Sequence, residues 1–533
     1  MTYTIHSSCH GCDNCRPHCP TGAIKSDGEN YWIDPALCNQ CEGYYPEPQC
    51  VIHCPVVSPV PAQAKKGRYK IKDRTTPSPD LFPDGKNHPF ASAIVIWKAC
   101  NLLSQRNSLP WKKNEYGQLY YQQQVNQGRG AITFQLIDPL ESQSTSTLSY
   151  TQEFSAIEGL DIRAACLHLL YAAYATTVET PWEQEFIIND RQIEEYLGLE
   201  KRRDLSKSAK LALIKELAQQ PCQITTSIRW PQQGQVPGFT VENSRLWHLL
   251  EIQHHFQEDA SGCKHLVGLT FKVKAGIWAK YFLNKQGCKE RTAFYQYGNL
   301  PKALLSAVMS IWQQHEGAAR MMLWLLFKTK IGREQRITVP TLMRVAYGDE
   351  KVIQASSHPE ERKRLLRTFE SDLERLNHYQ LKAIFDPISY PLEIQPFWAK
   401  LANIPDDADE ALEFWTNDGQ SNTRLTDAAP RGKWNRLMNA RILRFELPSD
   451  WEEQLMELEK KKQQRKKGKI KAKTHSHLDT KQMIQARKSL RLSQRDLAEM
   501  TGKSQSWIRD IESGRFQAKS KDQELLQKAL GLV

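Results

Sequence analysis

The sequence predicts a multidomain chain, mainly α with α+β parts, and three observations carry that expectation. Its 533 residues exceed what one hydrophobic core organises. Eight of its thirteen cysteines lie in the first 54 residues, at spacings suited to metal or cluster ligation. Residues 477–533 read as short, polar, capped helices in the order of a helix-turn-helix bundle.

Composition narrows the class. Hydrophobic residues make up 40% and charged residues 25%, which is ordinary globular material. No apolar run reaches the roughly 18 residues of a membrane span. No basic segment followed by an apolar one opens the chain, so the cytoplasm is the expected compartment and no membrane partner is expected. The formal net charge is +12 and is unevenly placed. Residues 460–473, "KKKQQRKKGKIKAK", hold nine Lys/Arg and no acid, whereas residues 1–66 hold four Lys/Arg against six Asp/Glu. Such a block binds a polyanion or serves as a solvated tether.

The first cysteines, Cys9, Cys12, Cys15 and Cys19, are spaced x2, x2, x3 and followed by Pro20. The second set, Cys38, Cys41, Cys50 and Cys54, is spaced x2, x8, x3 and followed by Pro55. In such runs the fourth cysteine ligates the other cluster. The rule assigns Cys9, Cys12, Cys15 and Cys54 to one 4Fe–4S cluster and Cys19, Cys38, Cys41 and Cys50 to a second. Two zinc sites are the alternative, but those usually come as separated cysteine pairs. Cys100, Cys166, Cys222, Cys263 and Cys288 lack ligand spacing and read as small buried hydrophobes.

With "CPTGAI" after the first set and "YWIDPALCNQC" around the second, residues 1–60 resemble the bacterial two-cluster ferredoxins. The match has departures. Eight residues, "EGYYPEPQ", separate Cys41 from Cys50 where a minimal ferredoxin has two. "CPVVSPVPAQ" lacks the second Gly-Ala-Ile. His10, His18 and His53 sit among the cysteines and are expected at the surface or behind the ligands.

Residues 61–89, rich in Pro, Lys and Asp, are expected to be a linker. Two later segments repeat an order of helix, short strand, capped helix, long helix, strand. One runs from "RAACLHLLYAAYATT" to "CQITTSIRW", the other from "GAARMMLWLLFKTK" to "KAIFDPISY". Asp190 and Pro340 open equivalent helices, and Leu365, Leu366, Phe369, Leu373 and Leu376 form a helical stripe. That order suits a tandem winged-helix-like middle, with one unit in 90–250 and another in 251–448. A helical scaffold with coincidental repeats is the alternative. The pattern faintly resembles the paired winged-helix domains of plasmid replication initiators.

Residues 449–476 read as an exit helix and basic tether, with Ser449 and Glu452 spaced as a capping box. Beyond them, Ser493 and Ser504 are helix N-caps, and Gly502 and Gly514 are helix ends. Ile484 and Leu490 are expected on the apolar side of the first helix. Leu497, Ala498, Ile508, Ile511, Leu525, Leu526 and Leu530 form the expected core. The Ser493–Gln494 pair and the helix spacing resemble the helix-turn-helix of the phage repressor and Cro family. That resemblance implies that Gln494 braces a phosphate and that Ser504, Gln505, Ser506 and Arg509 face bases. Gln suits adenine and Arg suits guanine. Lys503 and Arg515 would reach phosphates, and Trp507 departs from the residue usual there. A protein-interaction domain of the same shape is the alternative.

No phosphate loop, dinucleotide fingerprint or His-Glu metal helix appears, so no enzyme is expected. The eight cysteines at one end and Gln494–Gly514 at the other make the chain similar to cyanobacterial activators of nitrogen-fixation genes, the PatB/CnfR type. The resemblance implies a regulator of nitrogenase promoters that senses oxygen or redox state through two 4Fe–4S clusters. The expected partners are double-stranded promoter DNA, an electron donor or RNA polymerase, and a second copy of the chain. The rival readings are a ferredoxin-type subunit of a redox enzyme and a replication initiator with structural clusters.

Overall fold

The computed structural model describes residues 3–28, 30–34, 37–61, 76–137, 156–258, 263–328, 337–402, 404–405, 407–420, 430–447, 479–518 and 520–532. It divides into two compact units, Met1–Glu452 and Glu453–Val533. The exit helix and basic tether expected at 449–476 lie outside the described residues.

In the larger unit the cysteine-rich segment is built into the body. Strand Tyr3–His6 lies between Pro59–Pro61 and the first residues of the long strand Cys263–Ala275, antiparallel to both. The register pairs Ile5 with Lys264 and His6 with Cys263. A second small pair, Ile24–Ser26 with Tyr31–Ile33, closes the module. Among the described residues its buried core is Ile5, Ala23, Ile24 and Ile33 with Cys15 and Cys50, against which Tyr3, Tyr31 and Val51 pack. So small a core does not hold a fold without ligands or neighbours.

The 61–89 linker expectation is corrected for its described part. Leu81 and Phe82 are buried, the Ser78 N–H donates to the Ile187 carbonyl, and Asn87–Ala91 pairs with Tyr297–Pro301. Proline and lysine content hid apolar anchors at Leu81, Phe82 and Phe90, which join the main core.

The first helical region contains Ile162–Tyr174, strand Glu185–Asn189, and helices Asp190–Tyr196 and Lys207–Gln219. Asn189 and Gln192 form a capping box on the second helix, and Ser206 caps the third. The following strand, Ile224–Trp230, does not return to Glu185–Asn189 as the repeat suggested. It is claimed on both edges by Gly130–Leu136 and Phe239–Arg245, in a separate five-stranded sheet. The partner of Glu185–Asn189 is instead Cys263–Ala275, which is paired along its length with Trp247–Glu258. The boundary expected at 250 therefore falls inside a strand.

The second region runs Glu316–Lys328, Ile337–Thr338, Val339–Tyr347, Asp349–Ser357, Pro359–His378, Lys382–Phe385 and Arg441–Glu446. Its three strands pair antiparallel, with Arg441–Glu446 central. Leu365, Phe369, Leu373 and Leu376 are buried along one face of the long helix. On the same helix, buried Asp372 accepts from Tyr347 Oη at 2.6 Å and meets His315 Nδ1 at 3.1 Å, tying helices Val339–Tyr347 and Pro359–His378 to the residue just before helix Glu316–Lys328. Both regions share one continuous apolar core.

The smaller unit holds helices Thr480–Ser489, Gln494–Thr501, Gln505–Glu512 and Ser520–Ala529. Met483, Leu497, Ala498, Ile508, Ile511, Leu526 and Leu530 form its core. Leu525 and Leu490, expected inside, are 43% and 50% exposed. Leu526 and Leu530, four apart, take the inward face of the last helix. Met483 takes the inward place in the first helix, leaving Ile484 only partly buried and Leu490 beyond the helix end. Among the described residues no helix is long and apolar enough to cross a membrane.

Candidate cluster site and nucleic-acid interface

Both cysteine sets sit on loops with left-handed backbone at Gly11, Asp13, Gln40, Cys41 and Gly43. Such turns point successive backbone amides into one concavity. Cys50 lies on the one-turn helix Gln49–Ile52. Cys15, Cys41 and Cys50 are buried, Cys9, Cys19, Cys38 and Cys54 are half-buried, and Cys12 is exposed.

Burial pushes the Cys15 thiol up to about 11; a backbone hydrogen bond opposes this, and the charges of Cys54, Cys9 and Cys12 reinforce it. Burial pushes Cys50 up to about 12, followed by the charges of Cys38, Cys41, Cys19 and Cys15. The larger charge influences on Cys15 thus come from Cys54, Cys9 and Cys12, and those on Cys50 from Cys38, Cys41 and Cys19, with Cys15 the smallest on Cys50.

Three sulfurs receive backbone amides. Ala23 N–H donates to Cys19 Sγ at 3.3 Å, Gln49 N–H to Cys41 Sγ at 3.5 Å, and Ser58 N–H to Cys54 Sγ at 3.2 Å. At Cys19 burial is the largest influence and raises the thiol. Hydrogen bonds from the Thr21 hydroxyl and from the Ile24, Ala23 and Thr21 amides outweigh it, so the net direction is down. Amides aimed at thiolates are what a cluster-bearing loop needs, since ligation requires deprotonated cysteine and N–H···S bonds tune the potential. Among the described residues no three His, Cys, Asp or Glu side chains converge on a single-ion site.

Of the other cysteines, Cys100, Cys166 and Cys222 are buried as expected of small hydrophobes, whereas Cys288 is exposed. The long gap before Cys50 exposes Tyr44 and Tyr45. One feature escaped notice in the sequence. His18 and His53 stack in parallel, with ring centroids 3.7 Å apart. The repeated His-Cys-Pro at 18–20 and 53–55 was the available signal.

In the smaller unit Ser493 caps its helix by accepting from the Asp496 N–H, and Asp496 returns the bond to the Ser493 N–H. Gly502 is left-handed, as a helix end requires. Ser504 caps the next helix by accepting from the Trp507 N–H, and its hydroxyl also meets that of Ser506 at 3.0 Å. Gln505, Ser506 and Arg509 are exposed on that helix, Arg509 with 64% of its side chain in solvent, and Arg515 is exposed after it.

Two of the residues assigned to phosphates are already engaged. Gln494 Nε2 donates to Glu512 Oε2 at 2.7 Å, and Glu512 also binds Arg487 Nε at 2.6 Å. Lys503 pairs with Asp522 at 2.8 Å and lies over the Trp507 ring. We therefore expect Arg509→Ala and Gln505→Ala each to weaken sequence-selective DNA binding by about 1–3 kcal/mol. Lys503→Ala should cost less and act equally on all sequences. Competition titrations with specific and scrambled duplexes measure the difference.

Comparison with known proteins agrees at both ends. A 4Fe–4S binding domain model matches residues 2–25 and a helix-turn-helix model matches residues 483–532. A ferredoxin-like protein in the nif region of Bradyrhizobium diazoefficiens is 46% identical over 52 residues, 10% of this chain and 70% of that protein. Ferredoxin-1 of Chlorobaculum tepidum is 46% identical over 55 residues, 10% of this chain and 89% of that protein. The crystal structure of the RctB domains 2-3 overlaps 52% of this chain and 83% of that chain at 12% identity, with a TM-score of 0.25. A helix-turn-helix domain ends the chain, and through its N-terminal module the chain belongs to the ferredoxin-like 4Fe–4S family.

Proposed function

We propose that the chain is a transcription regulator of the PatB/CnfR type, which activates nitrogen-fixation genes when oxygen is low. The observation that carries the reading is the pairing, in one chain, of two amide-lined cysteine groups with a helix whose Gln505 and Arg509 are exposed to solvent. The relatives named for the nif region support the choice of target. The protein acts in the cytoplasm as a DNA-binding switch and catalyses no reaction of its own.

Cys9, Cys12, Cys15 and Cys54 would hold one 4Fe–4S cluster, and Cys19, Cys38, Cys41 and Cys50 the other. The neighbours of Cys15 and Cys50 support that crossed division. When bound, the clusters supply reversible one-electron chemistry and lability to oxygen. The chain's residues bury Cys15, Cys41 and Cys50, aim amides at the sulfurs of Cys19, Cys41 and Cys54, and hold the module against the body. Ser504 sets the start of the reading helix, and Arg509 and Gln505 project from it.

The middle is read as two winged-helix-like units. Each has a strand, two or three helices and an antiparallel strand pair whose second member lies beside the first strand. The first unit takes its strand pair from beyond residue 246, after the inserted sheet.

The test is anaerobic purification with iron and sulfide analysis, then gel-shift on a nitrogenase promoter before and after air. Iron, sulfide and oxygen-sensitive promoter binding are expected. Zinc in place of iron, or binding indifferent to air, overturns the reading.

A further inference from the structure

The cysteine module meets the first helical region at a specific contact. Strand Tyr31–Ile33 alternates its faces. Tyr31 and Ile33 pack with the cysteines, while Trp32 points the other way. Trp32 lies against His254 and Phe256 of strand Trp247–Glu258, with ring centroids 4.9 and 5.5 Å apart. Lys215, from helix Lys207–Gln219, stands over the Trp32 ring at 5.8 Å and reaches His254 Nε2 at 3.1 Å.

An ammonium only donates, so Nε2 accepts and the neutral imidazole carries its proton on Nδ1. That nitrogen faces Asp27 Oδ2 of the module at 3.5 Å. Burial, reinforced by Lys215 and opposed by Asp27, pushes His254 down to about 4, which keeps it neutral. Three elements therefore meet at one ring: the module, the hairpin and the helix.

A second attachment lies at the sheet edge. Tyr3–His6 adds to the Cys263 end of the hairpin, and Ser58 locks it by accepting the His6 N–H and donating to the His6 carbonyl, both at 3.0 Å. Ser58 also donates its N–H to Cys54 Sγ. One residue thus ties a cysteine to the strand that pairs with the body.

We propose that these two attachments form an internal interface through which the loading of the cysteines governs the order of the strand pair Trp247–Glu258 with Cys263–Ala275 and of the helix Lys207–Gln219. The proposal rests on the cluster reading above. With the quartets filled, Ile24 and Ile33 are held from one side, so Trp32 is presented to His254 and Lys215 and the edge strand stays paired. With the quartets empty, the module's core is too small to persist. Trp32 and Tyr3–His6 then withdraw, and Lys215 and His254 lose a neighbour. The measurable form of such coupling is a two-state response of hairpin order to cysteine loading.

Hydrogen exchange on the full chain, anaerobic and then iron-chelated, supplies that measurement. Exchange at 3–6, 207–219, 251–258 and 265–271 should rise about tenfold on chelation, with helix Glu316–Lys328 unchanged. Trp32→Ala should keep its iron and show the faster hairpin exchange while still loaded. Iron lost with unchanged hairpin exchange, or a loaded Trp32→Ala that exchanges like the parent, overturns this proposal alone. Starting protein without iron and sulfide overturns the cluster reading together with it.

Discussion

Cys12→Ser halves the iron and sulfide of anaerobically purified protein and abolishes promoter activation in a reporter strain. The size of the effect follows from ligand count. A hydroxyl is a poor substitute for a thiolate, and a cubane left with three cysteines is exposed at one iron. Cys12 suits the test because it is exposed, so its replacement places no polar group in the core. Cys15→Ser would mix ligand loss with a hydroxyl in a site only 7% exposed. The helix-turn-helix lies in the other compact unit, so specific duplex binding by that unit on its own should survive, whereas the full-length variant should lose the air-sensitive promoter binding of the parent. Iron and sulfide assays, a reporter and a gel-shift check the three parts separately. Full reporter activity with half the iron would detach activation from that cluster.

The two ends of the chain were legible because their constraints are local. A cysteine run encodes its chemistry in spacing, and Ser493, Gly502, Ser504 and Gly514 mark helix ends by cap chemistry alone. The interface between module and body was not legible. Asp27 and Trp32 lie far from Lys215 and His254 in the chain, and each is unremarkable where it stands. Only the topology that sets Tyr3–His6 beside Cys263–Ala275 assembles them. The same holds for Ile224–Trp230. Its apolar pattern announces a strand but not which sheet takes it, because register and partner depend on competing edges. Gln494 and Lys503 show a further limit. Their residue types and positions suit phosphate contacts, yet Glu512 and Asp522, which engage them, lie 18 and 19 residues on.

Glu512→Ala lowers the stability of the helix-turn-helix unit by about 3 kcal/mol, the cost of leaving a buried cation without its partner. The side chains of Arg487 and Glu512 are 12% and 6% exposed. Among the described residues Arg487 would keep its bond to the Leu492 carbonyl alone. For a unit this small the loss corresponds to about 15 °C in melting temperature, readable by circular dichroism. The pH dependence has a definite sign. Burial raises the Glu512 carboxyl, but Arg487 and Gln494 outweigh it and hold it below the usual range. A carboxyl depressed on folding contributes stability above its unfolded pKa of about 4.3, and loses it as pH falls through the lower folded value. The parent should therefore lose stability in acid by a component that Glu512→Ala lacks. Replacing both Arg487 and Glu512 with Met separates folding from binding. An apolar pair of similar volume recovers much of the stability, yet Gln494 loses the carboxylate that orients its amide. The recovered fold should bind its promoter more weakly than the parent, at specific and scrambled sites alike, because the lost contact is to phosphate. Parent-like affinity in the double variant would assign Gln494 to packing alone.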